Sequence, residues 1–186
     1  VTAPIVVGID PGPATTGIVA RWRDTLLAFA TVTRDPSMSL ASYARLVLDR
    51  AGGHPGSVAG RAERVCHDRE KEGELLWAVE DYHTPTPHLG EVAPQQIAET
   101  CWLVGYLTAA LREETPQGPR PDAERVELVA PANHGRHPYG TYPDELTTAG
   151  EQRQPNWRLR TAGRSTLVSH CRSAWDIAGA AAHQTN

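Results

Sequence analysis

The apolar, β-branched run "PIVVGI" at 4–9 stops abruptly at Asp10-Pro11-Gly12. The run predicts a buried strand and the Pro-Gly pair predicts a turn. "TGIVARW" (16–22) and "TLLAFATV" (25–32) flank the short connection Arg23-Asp24, the pattern of an antiparallel meander. Residues 39–51 place Leu40, Tyr43, Ala44, Val47 and Leu48 on one helical stripe, with Ser39 as N-cap and Gly52-Gly53 as a stop. Residues 53–73 are Gly-rich and then charged, and read as a loop followed by a polar helical stretch. "ELLWAVE" (74–80) predicts a fourth strand, and 94–114 a long helix with Pro94 in its first turn. "RVELVA" (125–130) predicts a fifth strand and 165–184 a final helix. Between these two lies 131–160, with four prolines and no periodicity. Irregular stretches of this length are usually functional or disordered. A meander followed by alternating helix and strand implies an α/β fold, a mixed sheet with helices packed on it.

Strand alternation puts Val6, Gly8 and Asp10 on one face and Ile5, Val7 and Ile9 on the other. In the fourth strand Leu76, Ala78 and Glu80 share a face, while Asp81 points the other way or leaves the strand. Asp176 lies among Ala174, Ile177 and Ala178 of the last helix. Three carboxylates thus stand in apolar contexts, in three separate elements. Buried carboxylates protonate or acquire a partner. No Lys or Arg is close in sequence to Asp10 or Glu80, and a shared divalent cation satisfies all three. Oxygen-only ligands point to Mg2+ or Mn2+ rather than zinc.

Composition narrows this picture only slightly. A chain of 186 residues, 40% hydrophobic and 22% charged, is long enough for one real core. No apolar run reaches the ~18 residues of a membrane span, and the start does not read as a signal peptide. Cys66, Cys101 and Cys171 lie far apart without zinc spacing, so reduced thiols and a cytoplasmic location are expected. The net charge of −4 excludes a uniformly basic nucleic-acid binder. Positive charge is concentrated instead: 151–172 holds five arginines against one glutamate, and Lys71 is the only lysine. Guanidinium forks suit phosphate.

"VVGIDPGPATTGIVA", then "LLWAVED", then "SHCRSAWDIAGAAAH", in that order and spacing, resemble the RuvC-like Holliday-junction resolvases of the RNase H-like nuclease superfamily. The resemblance covers most of the chain. It implies a five-stranded mixed sheet flanked by helices, so that 1–186 forms a single RNase H-like nuclease domain with an irregular Arg- and Pro-containing insertion at about 131–164. It also implies a homodimer that cuts four-way DNA by paired phosphodiester hydrolysis, with two Mg2+ (or Mn2+) per active site. Asp10, Glu80 and Asp176 become metal ligands, with His170 a further catalytic candidate. Gly12 and Gly17 are expected to keep side chains off the metal and the DNA backbone. Arg136, Arg153, Arg158, Arg160 and Arg164 are candidate phosphate contacts, and Tyr139, Tyr142 and Trp157 candidate stacking groups for unpaired bases.

The last helix departs from the family pattern, an Asp or His followed three residues later by an Asp. One alignment pairs His170 with Ser173, placing serine at the carboxylate position; the other pairs Ser173 with Asp176. Each pair is about 60° apart around a helix, whereas His170 and Asp176 are about 120° apart. The reading adopted takes Asp176 as ligand. Asp176 has an alternative partner in Arg172, one turn earlier. Two further readings of the chain stand beside resolvase: another RNase H-like nuclease acting on flaps or RNA, and a catalytically inactive junction-binding protein. An actin-like phosphotransferase also starts with a strand ending in Asp, but this chain is too short for two such domains and has no second phosphate loop.

Overall fold

A computed structural model describes residues 3–52, 54–67, 74–82, 93–112, 125–132, 134–157 and 167–184, and among these residues there are five strands and five α-helices. Strands β1 (Ile5–Asp10), β2 (Thr15–Trp22) and β3 (Thr25–Thr33) form the antiparallel meander. Strands β4 (Leu75–Glu80) and β5 (Val126–Val129) then add in parallel, giving the order β3-β2-β1-β4-β5. This is the five-stranded mixed sheet flanked by helices that the resemblance implies. Helices α1 (Leu40–Ala51), α2 (Val58–His67), α3 (Pro94–Arg112), the single turn α4 (Ala149–Gln152) and α5 (Leu167–Gln184) complete the list. Ser39 caps α1 as expected, its hydroxyl accepting the Ser42 N–H at 3.1 Å. None of the described helices is long and apolar enough to cross a membrane.

The two faces of the sheet separate as the alternation predicts. Ile5, Val7, Ile9, Leu75, Trp77 and Val79 face α1, α2 and α3 in the larger core, with Tyr43, Val47, Leu103 and Leu107. Val6, Leu76 and Ala78 face α5, where Ile177, Ala178 and Ala181 cover them. Helix α5 lies close to the sheet. A Cβ at Gly8 would collide with the Ala174 carbonyl, and one at Gly17 with the backbone of His170. Gly17 therefore admits the helix; the expectation that it screens a metal or DNA from side chains is corrected. Gly12 does lie beside the site, since a Cβ there would stand 3.7 Å from His170 Cε1.

The irregular stretch is partly ordered by its own short elements. Two 3-10 turns, Tyr139–Thr141 and Asp144–Leu146, precede α4. Tyr139, Tyr142 and Leu146 are buried, Tyr142 and Leu146 in a cluster with Val19, Cys171, Ala174 and Trp175. The expectation that Tyr139 and Tyr142 stack on bases is thereby corrected: both rings pack under Arg172, whose guanidinium carbon is 5.1 Å and 5.8 Å from their centroids. Arg172 is fully buried and donates to the Leu146 carbonyl and to Glu151 Oε2, each at 3.1 Å. It is not the partner of Asp176.

Candidate active site

Register alone brings the first two carboxylates together. Strands β1 and β4 run parallel with Ile9 opposite Val79, so Asp10 and Glu80 leave neighbouring strand ends on the α5 face. Carboxyl ends of parallel strands are where open α/β sheets bind ligands. Asp10 and Glu80 each keep 13% side-chain exposure, enough for a small ligand to reach them but little for solvation. Their carboxyl groups are within hydrogen-bonding reach of each other. The turn after Asp10 is supported from below by Tyr43. Its buried hydroxyl lies 2.8 Å from Thr16 Oγ1 and 3.3 Å from the Gly12 carbonyl, and burial helps push the phenol up to about 12.

Each carboxylate has a histidine. His170 Nδ1 is 2.9 Å from Asp10 Oδ2, and His134 Nδ1 is 3.0 Å from Glu80 Oε1. Burial raises the Glu80 pKa; His134 opposes this, and the charge of Asp10 adds to it. Burial alone would lower His170, but the hydrogen bond and charge of Asp10, helped by Glu80, outweigh it and raise the imidazole pKa. His170 therefore holds its proton more firmly than a free imidazole does.

Asp176 is hydrogen-bonded to the irregular segment. Its Oδ2 accepts the Gly135 N–H at 2.7 Å and the Tyr142 O–H at 2.9 Å, with His137 Nε2 at 3.9 Å. Burial raises its pKa against these donors. On α5, His170 is the side chain hydrogen-bonded to Asp10, as the His170–Ser173 alignment has it, while the hydrogen bonds of Asp176 go to Gly135 and Tyr142. Ser173 lies under the turn at Gly135, where φ is +72° and a Cβ would come within 2.5 Å of Ser173 Oγ. His134 is the residue that the sequence reading missed. Residues after β5 must emerge beside Glu80, because Val129 is its register partner. That adjacency, applied to "ANHGRH" (132–137), was the available signal.

Of the candidate DNA contacts, Trp157 is 64% exposed, Arg153 is exposed and Arg136 is half-buried. Arg158, Arg160 and Arg164 lie outside the described residues.

No family model and no curated protein matches the chain. Two solved structures resemble it over nearly its whole length. Thermus thermophilus RuvC in complex with Holliday junction substrate is 17% identical, with 97% of this chain and 92% of that one covered and a TM-score of 0.48. A second Thermus thermophilus RuvC structure is 16% identical, with 97% and 93% covered and a TM-score of 0.44.

The donor set suits a hard cation. Two neighbouring carboxylates repel each other, and a cation between them would offset that repulsion. Mg2+ commonly takes one or two protein carboxylates and fills its other positions with water and phosphate. Asp10 and Glu80 fit that description. Among the described residues, no three His, Cys, Asp or Glu side chains are already gathered to hold a metal ion.

Proposed function

We propose that this protein is a metal-dependent endonuclease of the RuvC-like kind, hydrolysing phosphodiesters in four-way DNA. The observation that carries the reading is the Asp10–Glu80 pair: two largely desolvated carboxyl groups within mutual reach, on adjacent parallel strand ends. These two residues would hold the divalent cation. When bound, it supplies charge neutralisation at the phosphate and activation of the attacking water. Asp10 and Glu80 would hold the cation at the ends of β1 and β4, where the phosphate would be received. His170, hydrogen-bonded to Asp10, would orient that carboxylate at the edge of the site. Trp157 and Arg153, both exposed on the irregular segment, would offer branched DNA an aromatic face for unpaired bases and a guanidinium for phosphate. Arg136, Arg158, Arg160 and Arg164 extend that basic segment.

Paired cutting requires two sites, and we assign the outer face of α3 to the contact between two copies. Trp102 there is 43% exposed and stacks on Tyr106 at 5.1 Å. A synthetic four-way junction incubated with Mg2+, beside a size measurement in solution, tests both statements. Symmetric nicks made by a dimer support them. Preference for flaps or RNA over junctions would move the protein to another nuclease role on the same fold. One observation favours an inactive binder, the lack of a ready three-ligand cluster among the described residues. Junction binding without Mg2+-dependent nicking would identify that case.

A further inference from the structure

The irregular segment after β5 enters the site and is held there from α5. Its first described turn carries His134, whose side chain is 6% exposed and whose Nδ1 meets Glu80 Oε1. The next residue, Gly135, gives its N–H to Asp176 Oδ2. The same oxygen takes the Tyr142 O–H, and Tyr142 Oη takes the His137 N–H at 3.0 Å, closing the turn on itself. One turn earlier on the helix, Arg172 packs on the Tyr139 and Tyr142 rings and donates to Leu146 and Glu151. Asp176 and Arg172 are thus two polar anchors at i and i−4, both spent on this segment. Ser173 lies between them and is small enough for Gly135 to sit over its hydroxyl.

We propose that His134 is a positioning residue for Glu80, and that Asp176 is the anchor of the turn carrying it rather than a third metal ligand. Glu80 then receives its orientation from a loop histidine instead of from a helix carboxylate. The inference rests on the reading of Asp10 and Glu80 as the cation pair. The alternative for Asp176, direct ligation, makes a different prediction for its conservative variant. An asparagine keeps an oxygen that accepts from the Gly135 N–H and the Tyr142 O–H, so it preserves the anchor and abolishes an anionic ligand.

The test is Mn2+ affinity of the full chain without DNA, with free Mn2+ counted by its EPR signal. Loss of a partner that orients a ligand costs about 10–100-fold in metal affinity, and His134→Leu is expected in that range. His134→Asn, which keeps an N–H donor near the Nδ1 position, is expected to restore most of the affinity. Asp176→Ala is expected to weaken binding as His134→Leu does, and Asp176→Asn to stay close to wild type. Wild-type affinity in His134→Leu would overturn the proposal, and so would an Asp176→Asn loss as deep as that of Asp176→Ala. A wild-type chain that binds no Mn2+ would overturn this inference together with the nuclease reading. A wild-type chain that shows the expected Mn2+ pattern yet leaves four-way DNA uncut would support this inference and overturn only the nuclease reading.

Discussion

The two faces of the sheet are built on opposite rules. Toward α1, α2 and α3, long side chains fill the space: Ile5, Val7, Ile9 and Trp77 from the sheet meet Tyr43, Val47, Leu103 and Leu107. Toward α5, the space itself is nearly absent. Gly8 and Gly17 let the helix backbone down onto β1 and β2, and Ala174, Ala178 and Ala181 line its contact. That closeness brings His170 to Asp10. It also leaves little apolar area, and polar anchors take over: Arg21 donates to the Trp175 carbonyl at 3.1 Å and stacks 3.9 Å over its ring. One face stores stability; the other uses close approach to place charged groups.

The contrast is broken most severely at the carboxyl pair. Asp10→Asn and Glu80→Gln are each expected to abolish Mg2+-dependent cleavage of a four-way junction while junction binding, measured by gel shift, persists. Cleavage by either variant at the wild-type rate would remove the pair from the chemistry. Next in size come two substitutions that treat the faces oppositely. Leu103→Ala opens a cavity in the large core and is expected to cost about 2–5 kcal/mol, read by denaturant unfolding, with cleavage retained well below the new midpoint. Gly17→Ala adds one methyl group where His170 and Cys171 backbone already stands. It is expected to cost about 1–3 kcal/mol and to reduce cleavage strongly, because α5 must shift and take His170 with it. Equal activity in the two variants would show that the α5 face is ordinary core.

The same contrast explains what could be read from the chain. Period-2 alternation in β1 and β4 fixed which residues face which layer, and so placed Asp10 and Glu80 on a common side. The α1 and α3 stripes were legible because long apolar side chains repeat at helical spacing. The α5 face was only partly legible. Ala and Gly carry a weak hydrophobic signal, and nothing local tells that Gly17 admits a helix about 150 residues later in the chain. The segment 134–157 was the least legible. Its partners, Arg172, Asp176 and the apolar groups around Trp175, lie on α5 and β2, so Tyr139 and Tyr142 read as free aromatics when no partner was in view. Asp176 was read correctly as a carboxylate in an apolar setting, but its partners are backbone and phenol donors from that same segment.

Arg172 is the next place to sharpen the comparison. The guanidinium is fully buried, and among the described residues its Nε and Nη2 find no hydrogen-bond partner. Removing it leaves Glu151 and the Leu146 carbonyl without their donor. Arg172→Ala is therefore expected to cost about 3–5 kcal/mol, by the rule for breaking one side of a buried ion pair. Arg172→Met, which fills the space between the two tyrosines, is expected to cost clearly less. Equal losses would mean that charge rather than packing holds the segment.

The smallest effect isolates the charge in that anchor. Glu151 closes the capping box of α4, with Thr148 N–H donating to its Oε2 at 2.8 Å, and takes Arg172 on the same oxygen. Partial burial pushes the Glu151 carboxyl up, but the Thr148 amide and the Arg172 charge outweigh it and hold the pKa below the ordinary 4.5. A carboxyl depressed in the folded state binds its proton more tightly when unfolded, so stability falls as pH falls through this range. Its contribution is complete above the unfolded value of 4.5 and disappears as pH drops through the folded one. Glu151→Gln removes the charge and keeps the shape. At pH 7 it is expected to cost less than Arg172→Ala, on the order of 1 kcal/mol, since the amide keeps an oxygen that accepts from the Thr148 N–H and from Arg172. Thermal melts of both proteins from pH 7 down to about 3 should show the gap narrowing below 4.5. A gap that stays constant to the acid limit would assign the loss to hydrogen-bond geometry in α4. The segment would then be held on α5 by the packing of Tyr139 and Tyr142 and by the hydrogen bonds of Asp176 and Arg172, without help from the Glu151 charge.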